Sequence, residues 1–197
     1  MIVRPTELDG VLLIEPKVFG DARGYFLETW SGERYRENGV CGAFVQDNLS
    51  KSRGGTLRGL HLQHPFGQGK LVYVVVGEVF DVAVDVRRGS RTFGKSFSTY
   101  LSEDNKRQLF IPPGFAHGFC VTSEMAVFAY KCTQKYHPET ELTIAHDDPD
   151  LGIKWPVESP TLSEKDRAGL LLSEVPDGRL PHVDPIAVQG ASPGSDP

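Results

Sequence analysis

Arg58, His61 and Lys70 are the residues of this chain whose types and spacing point most directly to chemistry. The first two lie in Leu57-Arg58-Gly59-Leu60-His61-Leu62-Gln63 and the third follows His61 by nine residues, at the start of a strongly β-patterned region. Histidine is the natural general base near neutral pH. Arginine and lysine are natural partners for phosphates and for carbonyl oxygens that take on charge. Two later segments supply further groups for the same pocket: Pro112-Pro113-Gly114-Phe115-Ala116-His117-Gly118-Phe119 brings a second imidazole, and Tyr130-Lys131-Cys132-Thr133 brings a phenol. The set suggests a base, an acid and an anion site in one barrel.

Composition limits the alternatives. A chain of 197 residues builds one sizeable core rather than two full domains. Its 39% hydrophobic and 24% charged residues fit a soluble globular protein. A net charge of -5 argues against nucleic-acid binding while leaving room for a local basic pocket. No apolar run reaches membrane-spanning length, because Leu71 to Val86 is broken by Gly77, Glu78, Asp81 and Asp85. Cys41, Cys120 and Cys132 share no metal-type spacing. Their odd number and the lack of a signal peptide favour free thiols in a reducing cytoplasm.

The elements that must position the reactive residues are mainly strands. Gly10 to Pro16 reads as a strand, Phe19 to Gly24 as a turn, and Tyr25 to Trp30 as an extended or helix-leading piece. Ser31 is placed as N-cap of a short helix over Gly32 to Asn38. From Phe44 to Tyr130 the pattern is almost all β. Leu71 to Val76 and Val79 to Val86 flank Gly77-Glu78, a hairpin or a bend. In the second of these strands Phe80, Val82, Val84 and Val86 are expected to face the core, with Asp81, Ala83 and Asp85 on the other side. Short strands follow at Ser96 to Leu101, Gln108 to Ile111, Gly118 to Val121 and Ala126 to Cys132, which is the pattern of a sandwich or barrel. Leu162-Ser163-Glu164-Lys165-Asp166 reads as the start of a helix, with Ser163 a candidate N-cap. One domain is expected over residues 1–186, with a disordered Gly-, Ser- and Pro-rich tail over 187–197.

Several motifs occur together and in order: Asp21-Ala22-Arg23-Gly24-Tyr25-Phe26-Leu27-Glu28, Gln46-Asp47-Asn48, Leu57 to Gln63, Gln68-Gly69-Lys70, Pro113 to Phe119 and Tyr130-Lys131. They continue with Tyr136-His137-Pro138-Glu139, Asp148-Pro149-Asp150-Leu151 and Leu162-Ser163-Glu164-Lys165-Asp166. With these motifs the chain resembles the dTDP-4-dehydrorhamnose 3,5-epimerases over roughly residues 1 to 185. The resemblance implies a mainly β fold, a cupin-type double-stranded β-helix (jelly roll) with a few short peripheral helices. It also implies an isomerase of dTDP-L-rhamnose biosynthesis that serves cell-wall polysaccharide and lipopolysaccharide. Pro112-x-Gly114-x-x-His117 has the spacing of the second cupin motif. The first motif, normally a metal-binding His-x-His with a glutamate, here reads His61-Leu62-Gln63, so no metal is expected.

The substrate implied is a dTDP-4-keto-6-deoxyhexose, whose C3 and C5 protons are both alpha to the C4 ketone. Inversion needs a base on one face and an acid on the other. His61 is the base, with an ordinary pKa of about 6.5, and the resemblance makes Asp166 its orienting partner. Lys70 is the candidate for the C4 oxyanion. Tyr130 is the candidate acid against the alternative of a barrel-wall tyrosine, and Tyr136 is its rival. His117 contacts the sugar, helps Lys70 hold the oxyanion, or survives as a relic of a cupin metal ligand. Arg23 and Arg58 are the phosphate candidates. Phe19, Phe26 and Tyr136 are candidates to carry the thymine ring, Glu28, Gln46 and Asn48 to read its edge, and Glu141 matches a ligand position of the family. No cofactor is required, because the ketone is already in the substrate.

Two other readings share these residues. One is an epimerase acting at C3 or C5 alone in another deoxysugar pathway. The other is a non-catalytic sugar-nucleotide-binding cupin, which would need the arginines but not His61, Tyr130 and Asp166 together. The resemblance further implies a homodimer in which N-terminal strands, near Val11 to Ile14, extend the partner's sheet and cover an open edge.

Overall fold

The computed structural model describes residues 1–183. The expected tail over 187–197, and the last residues of the expected domain, lie outside the described residues. Among the described residues the strands run β1 (Ile2–Pro5), β2 (Leu12–Glu15), β3 (Val18–Asp21), β4 (Gly24–Leu27), β5 (Gln46–Arg53), β6 (Leu57–Gln63), β7 (Lys70–Val76), β8 (Glu78–Asp85), β9 (Ser96–Ser102), β10 (Gln108–Ile111), β11 (Phe115–Val121), β12 (Met125–Cys132) and β13 (Glu141–Thr143). Helix α1 spans Gly32–Glu37 and α2 spans Glu164–Arg167. Strands pair in the order β1-β2-β10-β7-β12-β5 in one sheet and β13-β6-β11-β8-β9 in the other, with β3-β4 as a separate ribbon. From β5 onward the chain passes from one sheet to the other at nearly every step, β8 to β9 excepted. That repeated crossing is the expected cupin-type jelly roll.

Gly77 shows how the crossings are made. It separates β7 and β8, which belong to different sheets, so the junction is the bend and not the hairpin. Its φ is +81°, and a Cβ there would lie 2.1 Å from the Met125 carbonyl oxygen. Only glycine meets both conditions.

Three apolar layers hold the sheets. Val72, Val74, Leu109, Phe119 and Phe128 fill the space between them. Leu60, Val82, Val84, Val86, Ile144 and Leu180 pack the second sheet under the C-terminal segment. Tyr35 of α1 packs in a layer with Ile14, Leu71 and Phe110. The alternation read in β8 therefore selects a buried face, but that face looks toward the C-terminal layer. The opposite face is buried too, with Ala83 in the inter-sheet core and Asp81 and Asp85 fully enclosed. Period-two patterning separates faces; it does not reveal that both are covered.

Near the N-terminus the expected turn over Phe19 to Gly24 is narrower. Phe19 pairs with Phe26 and Gly20 with Tyr25, which leaves Asp21 to Gly24 as the turn. Asp21 tightens it by accepting from the Arg23 backbone N–H at 2.8 Å. Ser31 stands at the N-cap of α1 without a side-chain cap bond. Ser163 does cap α2, accepting from the Asp166 N–H at 3.2 Å. No helix among the described residues is long and apolar enough to cross a membrane. Cys41, Cys120 and Cys132 are free thiols, the last two buried.

Candidate active site

Strands β6 and β11 lie unusually close, and two glycines permit it. A Cβ on Gly59 would come within 2.5 Å of the Gly118 Cα, and one on Gly118 within 2.8 Å of the Arg58 carbonyl oxygen. Two residues further along β6, His61 stands directly across from His117. The imidazoles are thus cross-strand neighbours, and each is held by its own carboxylate.

His61 Nε2 lies 2.6 Å from Asp166 Oδ1. Asp166 Oδ2 accepts from the Ser163 hydroxyl at 2.6 Å. Burial alone would raise the Asp166 carboxyl, but hydrogen bonds from His61, Ser163 and the Gly59 backbone outweigh it and hold the pKa at about 2. An ionised acceptor requires the proton on His61 Nε2, which leaves Nδ1 as the basic position of the ring. Burial pushes the His61 pKa down despite the opposing pull of Asp166. The ring is neutral at physiological pH and able to accept a proton.

His117 Nε2 lies 3.0 and 2.9 Å from the two carboxylate oxygens of Asp81. Both groups are buried. Nothing in the sequence marked Asp81 as more than a polar residue on the minor face of its strand. Lys70 opens β7 and lines the same cavity. Burial pushes its pKa down, and among the described residues it makes no ion pair. Tyr130 projects from β12. Burial raises its pKa, so the phenol keeps its proton, and its hydroxyl makes no hydrogen bond among the described residues.

These groups line one cavity of about 420 Å³. His61 and His117 come from one sheet, Lys70 and Tyr130 from the other. Phe119 of β11 and Phe128 of β12 stack between the sheets at 4.1 Å, with both rings on the cavity wall. Gln46 and Asn48 enter from β5, joined by a 3.0 Å hydrogen bond. Arg58 donates from Nε to Ser52 Oγ at 3.0 Å, which leaves its terminal amino groups for an anion. At the mouth Glu141 accepts from Tyr136 at 2.8 Å and from Lys165 at 3.0 Å. Those bonds hold its carboxyl below the usual range against the effect of burial.

The structure therefore gathers His61, Lys70, Tyr130, Asp166, Gln46, Asn48, Arg58, His117, Tyr136 and Glu141. It does not bring Phe19, Arg23, Phe26 or Glu28 to the cavity. The first three lie on the β3-β4 ribbon, which pairs with no other strand among the described residues, and Phe19 and Phe26 are 53% and 69% exposed. Arg23 pairs with Asp21 at 2.5 Å, and Glu28 with Arg34 at 2.5 Å. The sequence reading missed Ser50, Gln68, Phe119, Phe128, Ser163 and Lys165 as lining residues. Ser50 was within reach: it follows Gln46 and Asn48 at the period of two that places all three on one face of β5. Among the described residues no group of three or more His, Cys, Asp or Glu is arranged to hold a metal ion.

The family model of dTDP-4-dehydrorhamnose 3,5-epimerase matches residues 5–174. The dTDP-4-dehydrorhamnose 3,5-epimerase of Methanothermobacter thermautotrophicus is 52% identical over 174 residues, covering 87% of this chain and 94% of its own. The Shigella flexneri enzyme of the same name is 54% identical over 171 residues, covering 86% and 94%. Among solved structures, a dTDP-6-deoxy-D-glucose-3,5-epimerase from Legionella pneumophila in complex with dTDP-4-keto-L-rhamnose superposes with a TM-score of 0.91. It shares 52% identity and covers 93% of this chain and 98% of its own. With this coverage by the family model, by relatives and by structure, the chain belongs to the dTDP-4-dehydrorhamnose 3,5-epimerase family.

Proposed function

We propose that the protein inverts both C3 and C5 of dTDP-4-dehydro-6-deoxyglucose in the formation of dTDP-L-rhamnose. One observation carries this reading: a carboxylate-bound neutral imidazole and an unengaged, protonated phenol face one cavity from opposite sheets. His61 removes a proton alpha to the C4 ketone. The electron pair moves into the C4 oxygen, beside which Lys70 supplies N–H donors that no carboxylate among the described residues has claimed. Tyr130 then delivers a proton to the other face, and solvent exchange resets both groups. A single group acting as both base and acid would return the proton to the face it left. Tyr136 is a poorer acid, because its hydroxyl is exposed and already donates to Glu141.

Arg58 receives the diphosphate, with Gln46, Asn48 and Glu141 as polar contacts for the rest of the nucleotide sugar. His117, fixed by Asp81, offers its remaining nitrogen to the sugar or to the C4 oxygen. Phe19, Arg23, Phe26 and Glu28 act in a homodimer, contributed to the cavity of a second copy. Their support is the placement of an apolar ribbon, with Val18, Phe19, Tyr25 and Phe26 all exposed and no sheet among the described residues to join. The strand expected to make the dimer contact, near Val11 to Ile14, is paired on both sides by β1 and β10, and β1 is the edge of that sheet. No cofactor enters this chemistry, and the compartment proposed is the cytoplasm.

Proton exchange by NMR tests the reading. The protein is incubated with dTDP-4-keto-6-deoxyglucose in deuterated water beside a His61→Ala control. Deuterium at C3 and C5, lost in the variant, is the expected result. Entry at one carbon alone would assign a narrower epimerase, and no exchange would leave a binding protein.

A further inference from the structure

Among the described residues only two buried side-chain polar atoms lack a hydrogen-bond partner, and one of them lines the cavity: Ser50 Oγ. Buried polar atoms without partners are rare, because each gives up its bonds to water and receives nothing in return. A hydroxyl left in that state beside a ligand cavity is accounted for when the ligand completes it. The neighbouring serine makes the contrast. Ser52, two residues along the same face of β5, already accepts from Arg58.

The register of β5 against β12 fixes where Ser50 stands. Asn48 is opposite Tyr130, Ser50 opposite Phe128 and Ser52 opposite Ala126. Along this wall, Ser50 therefore falls between the phenol proposed to protonate the sugar and the serine that anchors the phosphate-binding guanidinium. In a nucleotide sugar, what lies between the reacting C3 and the diphosphate is C2, with its hydroxyl, and the anomeric C1. Phe128 beside Ser50 offers no polar atom, so the serine hydroxyl is the group on this stretch of wall able to meet the C2 hydroxyl.

We propose that Ser50 is a substrate-contact residue that hydrogen-bonds the C2 hydroxyl and so holds C3 against the base and acid. The proposal rests on the epimerase reading above. Its signature is unusual: the hydroxyl serves the substrate and does nothing for the fold. Removing an unsatisfied buried hydroxyl does not destabilise a protein, so Ser50→Ala keeps or raises the melting temperature while it weakens catalysis.

The test combines the variant with a substrate analogue. Rates of deuterium entry at C3 and C5 are measured for wild type and Ser50→Ala, each with dTDP-4-keto-6-deoxyglucose and with its 2-deoxy counterpart, and thermal unfolding is followed in parallel. One neutral hydrogen bond corresponds to roughly tenfold in kcat/KM. Wild type is expected to lose about that factor on the 2-deoxy compound. Ser50→Ala is expected to lose it on the full substrate and to treat the two compounds alike, with its melting temperature unchanged or higher. A variant that still discriminates against the 2-deoxy compound as wild type does overturns the proposal. So does a lowered melting temperature, which would make the hydroxyl structural. Absence of exchange by wild type on the full substrate is a separate outcome that removes the epimerase reading and this inference with it.

Discussion

Replacing Asp166 by asparagine tests the base assembly most directly, because shape is kept and charge is removed. In the native site the carboxylate accepts from His61, from the Ser163 hydroxyl and from the Gly59 backbone. An asparagine side chain has one acceptor oxygen for these donors. Its amide group must face one of them, and the cheapest relief is for His61 to move its proton to Nδ1 and accept at Nε2. That tautomer protonates the nitrogen proposed as the base. The expected loss of exchange at C3 and C5 is about 10²–10⁴-fold, the range attributed to a positioned general base. Stability gives a second, independent readout. The Asp166 carboxyl falls from 3.8 to about 2 on folding. At about 1.4 kcal/mol per pKa unit, this corresponds to about 2 kcal/mol of stability. The folded value is the depressed one, so the contribution is complete above about pH 3.8 and is lost as pH falls toward 2. Urea titrations of wild type and Asp166→Asn should therefore differ by at least about 2 kcal/mol at pH 7, and the gap should narrow by about 1 kcal/mol on reaching pH 3. Wild-type exchange in a folded variant would refute the assignment of His61 as an Asp166-dependent base. A gap that does not change with pH would show that the carboxylate charge is not what the site holds.

The other expectations follow from the same geometry. Because burial lowers the His61 pKa and the neutral ring is the active form, kcat/KM should fall in acid with a midpoint below 6.5; a midpoint above 7 would contradict the dominance of burial. On the alkaline side both Lys70, which burial lowers, and Tyr130, which burial raises, must keep their protons, so kcat/KM should fall when either one is lost. Tyr130→Phe should exchange substrate protons with solvent while inverting at least 100-fold more slowly, seen as deuterated substrate without product; equal loss of exchange and inversion would give the phenol another role. Lys70→Met should lower exchange by about 10²–10³-fold while leaving the melting temperature unchanged or higher, since it removes a half-buried amine that makes no ion pair among the described residues; a less stable variant would mean the ammonium has a structural partner.

The fold class was legible in the sequence, and so was part of the candidate site. Arg58, His61 and Lys70 sit within one short span, and their types alone imply a base beside an anion site. Asp166 is different. It lies 105 residues from His61, joined only by the fold, and without the family resemblance it is an ordinary acid in the first turn of a short helix. Asp81 was hidden by the rule that made β8 legible. Alternation sorted it away from the valines, and nothing local indicates that a second layer covers that face and that His117 waits there. Ser50 needed only the extension of a pattern already noticed at Gln46 and Asn48. Phe19, Arg23, Phe26 and Glu28 show the opposite limit: their types suit a nucleotide, yet in a single chain they surround no cavity shared with His61.

The division of the chemistry between two sheets has a consequence for stereochemical fidelity. His61 and Tyr130 are not set by a common loop or helix; their separation is the thickness of the sandwich at that point. That thickness is maintained by core volume, and the Phe119-Phe128 stack is its local spacer. Facing sheets stand about 10 Å apart when side chains interdigitate. Thinning the spacer, as in Phe128→Leu, tilts one wall toward the other and changes how often an abstracted proton is replaced from the far side instead of the near one. Residues that carry no reacting group thus act as a ruler for inversion. The ratio of inversion to exchange, measured across core variants, would read the spacing of the sheets in chemical units.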